Sequence, residues 1–141
     1  MEESKLNDNF TFRNEPPSPE AYNLLRLEGG LSRKSQAAAT IGLKNSLFTV
    51  CMYDNEILIG MGRIIGDGGT FFQIVDIVVK PSYQGRGLGK RLMENLIDYL
   101  DNHTYPGSYV SLIADAPANK LYEQFGFSYT YPKSHGMYRM Y

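Results

Sequence analysis

The segment Gln84-Gly85-Arg86-Gly87-Leu88-Gly89-Lys90-Arg91 packs three glycines and three cations into eight residues. It lies between an apolar run, Phe71–Val79, and an amphipathic stretch that starts at Gly89. Glycine lets backbone N–H groups approach an anion closely, and a helix start adds partial positive charge. Arg86, Lys90 and Arg91 are placed to add charge-assisted contacts. Phosphate binding is the chemistry this pattern suggests; the competing reading is a tight strand-to-helix turn that needs glycine for its geometry alone. Lys80–Arg91 carries net charge +4 in a chain of net −1, which also fits a solvated surface patch. Two common phosphate motifs are excluded. A Walker A loop needs glycine five residues before its Gly-Lys pair and a hydroxyl after it, where this chain has Gln84 and Arg91. A dinucleotide fingerprint needs glycine where Lys90 stands.

The elements that must position this loop are legible in the hydrophobic pattern. Phe10–Arg13 alternates as a short strand. Ser18 and Pro19 set a helix start, and that helix runs to about Leu27 before Gly29-Gly30. A second helix is expected over Lys34–Lys44. Leu47–Tyr53 and Ile57–Ile65 read as strands joined by the turn Asp54-Asn55-Glu56, and Asp67-Gly68-Gly69 leads to a third, Phe71–Val79. Short turns imply an antiparallel meander. Leu92, Met93, Leu96, Ile97 and Leu100 form one helical stripe within Gly89–Leu100. Tyr109–Ala114 reads as a buried strand and Pro117–Gln124 as a short helix. Phe127–Tyr131 and Met137–Tyr141 read as final strands around the Pro132–Gly136 loop. The order β-α-α-β-β-β-α-β-α-β-β predicts an α/β (α+β) domain, a mixed, mostly antiparallel sheet flanked by helices. Residues 1–141 are expected to form a single domain with 1–9 as a loose end.

Gln84-Gly85-Arg86-Gly87-Leu88-Gly89, following Val79-Lys80-Pro81, resembles the pyrophosphate loop of the GNAT N-acetyltransferases, whose pattern is Q/R-x-x-G-x-G/A. Asn119-Lys-Leu-Tyr122-Glu-Gln-Phe-Gly126-Phe127 is similar to a second family region, N-x-x-x-x-Y-x-x-x-G-F, although Asn119 stands only three residues before Tyr122. The resemblance runs from about Phe10 to the end. It implies a sheet splayed at the cofactor strand and acetyl-coenzyme A as cofactor. Ile77, Val78 and Val79 would offer backbone groups to the pantetheine arm and acetyl carbonyl. Gln84, Gly85, Arg86, Gly87, Leu88, Gly89 and Lys90 would hold the pyrophosphate, and Asn119 and Tyr122 would also line the cofactor site. Tyr122 matches the family tyrosine that protonates the departing thiolate, a role suited to a phenol of pKa near 10.

The general base is open. Alternation puts Asp76 on one strand face with Ile74 and Val78, and a carboxylate there invites a role: a base acting through water, or a structural hydrogen-bond acceptor. His135, in the Pro132–Gly136 loop, has a suitable pKa to line an acceptor site and also fits a solvated loop. His103 reads as a helix C-terminal cap. Cys51, the one cysteine, reads as an inert core thiol suited to a reducing cytoplasm.

Composition narrows the class. Hydrophobic residues are 43% and charged residues 21%, an ordinary globular balance, and no metal site is expected. A net charge of −1 speaks against nucleic-acid binding, and the longest uncharged stretch, Thr104–Ala114, is too short to span a membrane. Residues 1–8 are polar and acidic, unlike a secretory signal. The expected function is acetyl transfer to a primary amine, on a small molecule or peptide, by direct attack in a ternary complex. The alternative is a non-catalytic acyl-coenzyme A sensor. In the family the acceptor site is built by Leu27–Lys34 and the Pro132–Gly136 loop. Tyr129, Tyr131, Tyr138 and Tyr141 fit an aromatic amine site, strand packing or a homodimer surface.

Overall fold

A computed structural model describes residues 10–115 and 118–141. The elements are β1 (Phe10–Arg13), α1 (Pro19–Glu28), α2 (Gln36–Lys44), β2 (Phe48–Asp54), β3 (Ile57–Gly66), β4 (Phe71–Val79), a 3-10 turn (Pro81–Tyr83), α3 (Leu88–His103), β5 (Tyr109–Leu112) and α4 (Asn119–Glu123). Ser18 and Ser35 cap α1 and α2, each accepting a backbone N–H three residues on.

One five-stranded sheet carries the fold, in the order β1-β2-β3-β4-β5. The first four strands are antiparallel neighbours, and β5 pairs parallel to β4 after the crossover through α3. The β4–β5 pairing covers only Phe71–Ile74 against Tyr109–Leu112. Among the described residues Val75–Val79 therefore has no ladder partner on that edge, and the expected splay lies at the expected strand.

The sheet separates two cores. On one face Val50, Met52, Ile64, Phe72 and Ile74 pack with Leu92, Met93 and Leu96 of α3. On the other, Cys51, Met61 and Val78 pack with Tyr22 and Leu25 of α1 and Leu43 of α2. The helical stripe read from the sequence is thus the buried face of α3.

Two expected strands do not form. Phe127–Tyr131 and Met137–Tyr141 join no ladder among the described residues, although their aromatic and alternating sequence favours strand. Strand propensity is realised only against a partner edge, and among the described residues these segments pair with no strand. The last helix is also shorter than Pro117–Gln124, of which Pro117 lies outside the described residues.

Candidate active site

β4 departs from regular pleating at Asp76. Met61 faces Val78 and Arg63 faces Val75, so Gly62 alone opposes both Asp76 and Ile77. Asp76 takes φ 58°, a left-handed conformation that aspartate tolerates better than most residues. A Cβ on Gly62 would lie 2.8 Å from Ile77 Cδ1 and 2.9 Å from Leu96 Cδ1, so glycine makes the room the bulge needs.

The bulge corrects the face assignment made from alternation. Ile74 and Ile77 pack on the α3 side, whereas Asp76 and Val78 face α1. There Asp76 is a hub. Its Oδ1 accepts from Arg26 Nη1, and its Oδ2 accepts from Arg63 Nε at 2.9 Å and Tyr22 Oη at 2.8 Å. Arg26 also donates to the Ser32 carbonyl at 2.8 Å, and Arg63 to the Gly42 carbonyl and Ser46 Oγ. Side-chain exposure is 5% for Asp76, 9% for Arg26 and 10% for Arg63. Both carboxylate oxygens are thus committed to partners, which matches the structural-acceptor reading rather than the base. Burial, reinforced by Asp76, pushes the Tyr22 phenol above its usual value.

The glycine loop is open. Gly85 and Gly87 have φ 83° and 76°, and a Cβ at either would meet nothing within 4 Å. Gly87 caps α3 without a side-chain hydrogen bond, so no capping side chain occupies the N–H groups of the first turn. Gln84 Nε2 donates to the Val79 carbonyl at 3.0 Å, tying the loop to the strand end. Arg86 and Lys90 are exposed, with Arg86 stacked on Tyr83. Leu88 is a core residue, leaving only its backbone for a ligand.

Two clefts meet along this path. One, of about 270 Å³, runs from Ile77–Val79 over Gln84, Gly85 and Gly87 to Tyr122. The second, of about 440 Å³, continues between β4 and β5, with Arg26, Gly29 and Leu31 on one wall and Asp115 and Tyr122 on the other. Tyr122 lines both and is 8% exposed. Burial, then the Asp115 charge, raises its phenol pKa above the usual 10.

The geometry therefore brings together Ile77–Val79, the loop and Tyr122. It separates Asn119 and His135, which line a different cleft beyond β5; there Asn119 Nδ2 donates to Tyr129 Oη at 2.8 Å. His103 is the last residue of α3, its Nδ1 2.7 Å from the Tyr99 carbonyl oxygen. Cys51 is fully buried, and burial pushes its thiol to about 12, an inert state. Arg26 and Arg63 escaped the sequence reading. An arginine inside the apolar run Ile57–Ile65 carried the same signal as Asp76: a buried charge needs a partner.

A sheet splayed over an open glycine loop, with a buried phenol at the fork, is the architecture of an acetyltransferase domain. The chain belongs to the GNAT family: the acetyltransferase (GNAT) family model matches residues 10–127. Histone acetyltransferase TAP1 of Glycine max is 31% identical over 109 residues, 70% of this chain and 46% of that protein. The ribosomal protein bS18-alanine N-acetyltransferase of Escherichia coli K12 is 37% identical over 67 residues, 47% of this chain and 43% of that protein. The chain spans about half the length of the curated relatives it matches. Among solved structures, SA2161 from meticillin-resistant Staphylococcus aureus, described as a protein of unknown function, is 52% identical with TM-score 0.90, covering 94% of this chain and 99% of that one. The GNAT family protein SP0256 of Streptococcus pneumoniae TIGR4 is 25% identical with TM-score 0.73, covering 94% and 98%.

Proposed function

We propose that the protein transfers acetyl from acetyl-coenzyme A to a primary amine by direct attack in a ternary complex. The observation that carries this is the continuous path from the open loop amides, along the unpaired edge of β4, to Tyr122. The residues fit the cofactor. No side chain fills the loop, and the first turn of α3 has backbone donors for a pyrophosphate. When bound, the coenzyme supplies an activated acyl thioester.

The chain's own groups do the rest. Ile77–Val79 present backbone N–H groups where a thioester carbonyl develops charge. Tyr122 holds its proton at Oη because burial disfavours the phenolate, and it gives that proton to the departing sulfur. Asp76 acts as a positioning residue, fixing the β4 bulge from which Ile77 and Val78 project. The amine enters from the side of Arg26, Gly29 and Leu31, where the cleft opens beside the α1–α2 connection. With Asp76 occupied, the amine's proton leaves to water.

Thiol release from acetyl-coenzyme A, measured with arylalkylamines, polyamines, aminoglycosides and peptide amines, tests the reaction. Saturable release with at least one amine is expected. Coenzyme binding with no release for any amine would favour the sensor.

A further inference from the structure

The glycine loop is anchored from two strands away. Tyr83, the last residue of the 3-10 turn, donates from Oη to Asp54 Oδ2 at 2.5 Å, a bond that spans 29 residues of chain. Asp54 ends β2 and stands there opposite Phe10 of the edge strand β1. Phe10 in turn meets the Tyr83 ring edge-on, with the ring centres 5.8 Å apart. The phenol is thus fixed at its hydroxyl and at its edge. Its face carries Arg86, whose guanidinium carbon lies 5.1 Å from the ring centre. Stacking engages the flat face of a guanidinium and leaves its N–H edge to donate. Arg86 sits between Gly85 and Gly87, whose positive φ shapes the open loop, so what holds Arg86 holds a donor inside the anion site. The nearby cations are engaged differently: Lys80 is 3.9 Å from Glu28, and Arg91 lies over Phe12.

We propose that Asp54 and Tyr83 are positioning residues for coenzyme binding: the carboxylate fixes the phenol, and the phenol ring holds Arg86 in the loop as a donor to a phosphate of the coenzyme. The proposal rests on the acetyl-coenzyme A reading above. Two effects of the carboxylate act in the same direction. A hydrogen bond to a charged acceptor is stronger than a neutral one, so the ring is held firmly. A phenol that shares its proton with a carboxylate is also richer in electrons, and its face attracts a cation more strongly. An exposed arginine that is already held loses less freedom when it meets its ligand, a saving of about two- to tenfold in affinity. The charge of Asp54 by itself predicts the opposite. It is an anion near a site for a polyanion, so on Coulomb's law alone its removal tightens binding. The two accounts therefore differ in sign.

Calorimetry with coenzyme A tests this on the full chain, with thermal transitions to show that each variant is folded. Asp54→Ala and Tyr83→Phe should each raise Kd about two- to tenfold, and Arg86→Ala at least as much. In the Arg86→Ala background neither change should weaken binding further, and Asp54→Ala, left with its charge effect only, should tighten it. Asp54→Ala that binds as well as the wild type, or better, overturns the proposal. So does an equal loss with and without Arg86, which would mark a merely structural tie. If Asp54→Ala does not fold, Tyr83→Phe, which keeps the ring against Phe10, decides by the same comparison. A wild type that binds no coenzyme A removes the acetyl-transfer reading and this proposal together. A wild type that binds it with no dependence on Arg86 removes this proposal alone.

Discussion

Tyr122 matters less for being a tyrosine, one of 11, than for where it stands: buried, and lining both clefts of the path. Tyr122→Phe keeps the ring in its core site and deletes the proton. General acid catalysis is worth about 10²–10⁴-fold, and a loss on the order of 10² in kcat is expected, with coenzyme affinity unchanged. Because burial and Asp115 raise the phenol pKa, the alkaline fall of the wild-type rate should be centred above the ordinary phenol value. That fall should vanish in Tyr122→Phe and shift to lower pH in Asp115→Asn, where the charge opposing ionisation is gone. A Phe variant with normal kcat and an unchanged alkaline limb would assign the donor elsewhere. Gly87 makes the complementary case for binding. Its positive φ and open surroundings serve backbone approach, so Gly87→Glu adds strain, bulk and like charge at once. Calorimetry should show coenzyme binding lost in a folded protein.

Among the elements, the bulge in β4 is the feature on which others converge. One carboxylate joins α1 through Arg26, β3 through Arg63 and, by Arg26 and Ser32, the loop after α1. Asp76→Asn leaves two guanidinium groups buried with the charge between them removed, a change that costs about 3–5 kcal/mol when a buried pair is broken from one side. A lowered urea midpoint is expected, together with a kcat loss of similar size at every pH. A loss concentrated at low pH, where little amine is neutral, would instead give Asp76 the amine's proton. Close packing across the same junction is set by Gly29, where a Cβ would fall 2.2 Å from Val78 Cγ2. Gly29→Ala should therefore push α1 from β4, costing about 1–3 kcal/mol as overpacking does, visible as a lower melting temperature.

Across the whole molecule, stability at alkaline pH reports the buried thiol. Cys51 has a pKa of about 12 folded against 9.0 when unperturbed. Between these values the folded chain keeps a proton that the unfolded chain releases, so rising pH favours unfolding. The contribution is complete below pH 9 and declines through the window up to 12, by about 1.4 kcal/mol per pH unit. Urea midpoints across this range should fall more steeply for the wild type than for Cys51→Ala, the difference isolating the thiol from the tyrosines. Parallel slopes would mean that Cys51 ionises in the folded state as readily as in the unfolded one. Among the described residues no helix is long and apolar enough to cross a membrane.

The sequence by itself determined what depends on local pattern. The apolar run Phe71–Val79, periodicity 3.6 over α3 and the serine caps are all properties of short windows, and each element up to β5 stands within a few residues of where its pattern puts it. The loop residues and Tyr122 came from motif spacing, which survives because the loop and α4 are contiguous segments. Tertiary structure decided what no window contains. Asp76 reads as one more position in an alternating strand until Gly62, on a different strand, forces two residues against one and turns the carboxylate toward Arg26 and Arg63. Those partners are 50 and 13 residues away. The last two segments show the converse: Phe127–Tyr131 and Met137–Tyr141 have strand sequence, yet a strand is a pairing between chains of backbone, and propensity cannot supply the second edge.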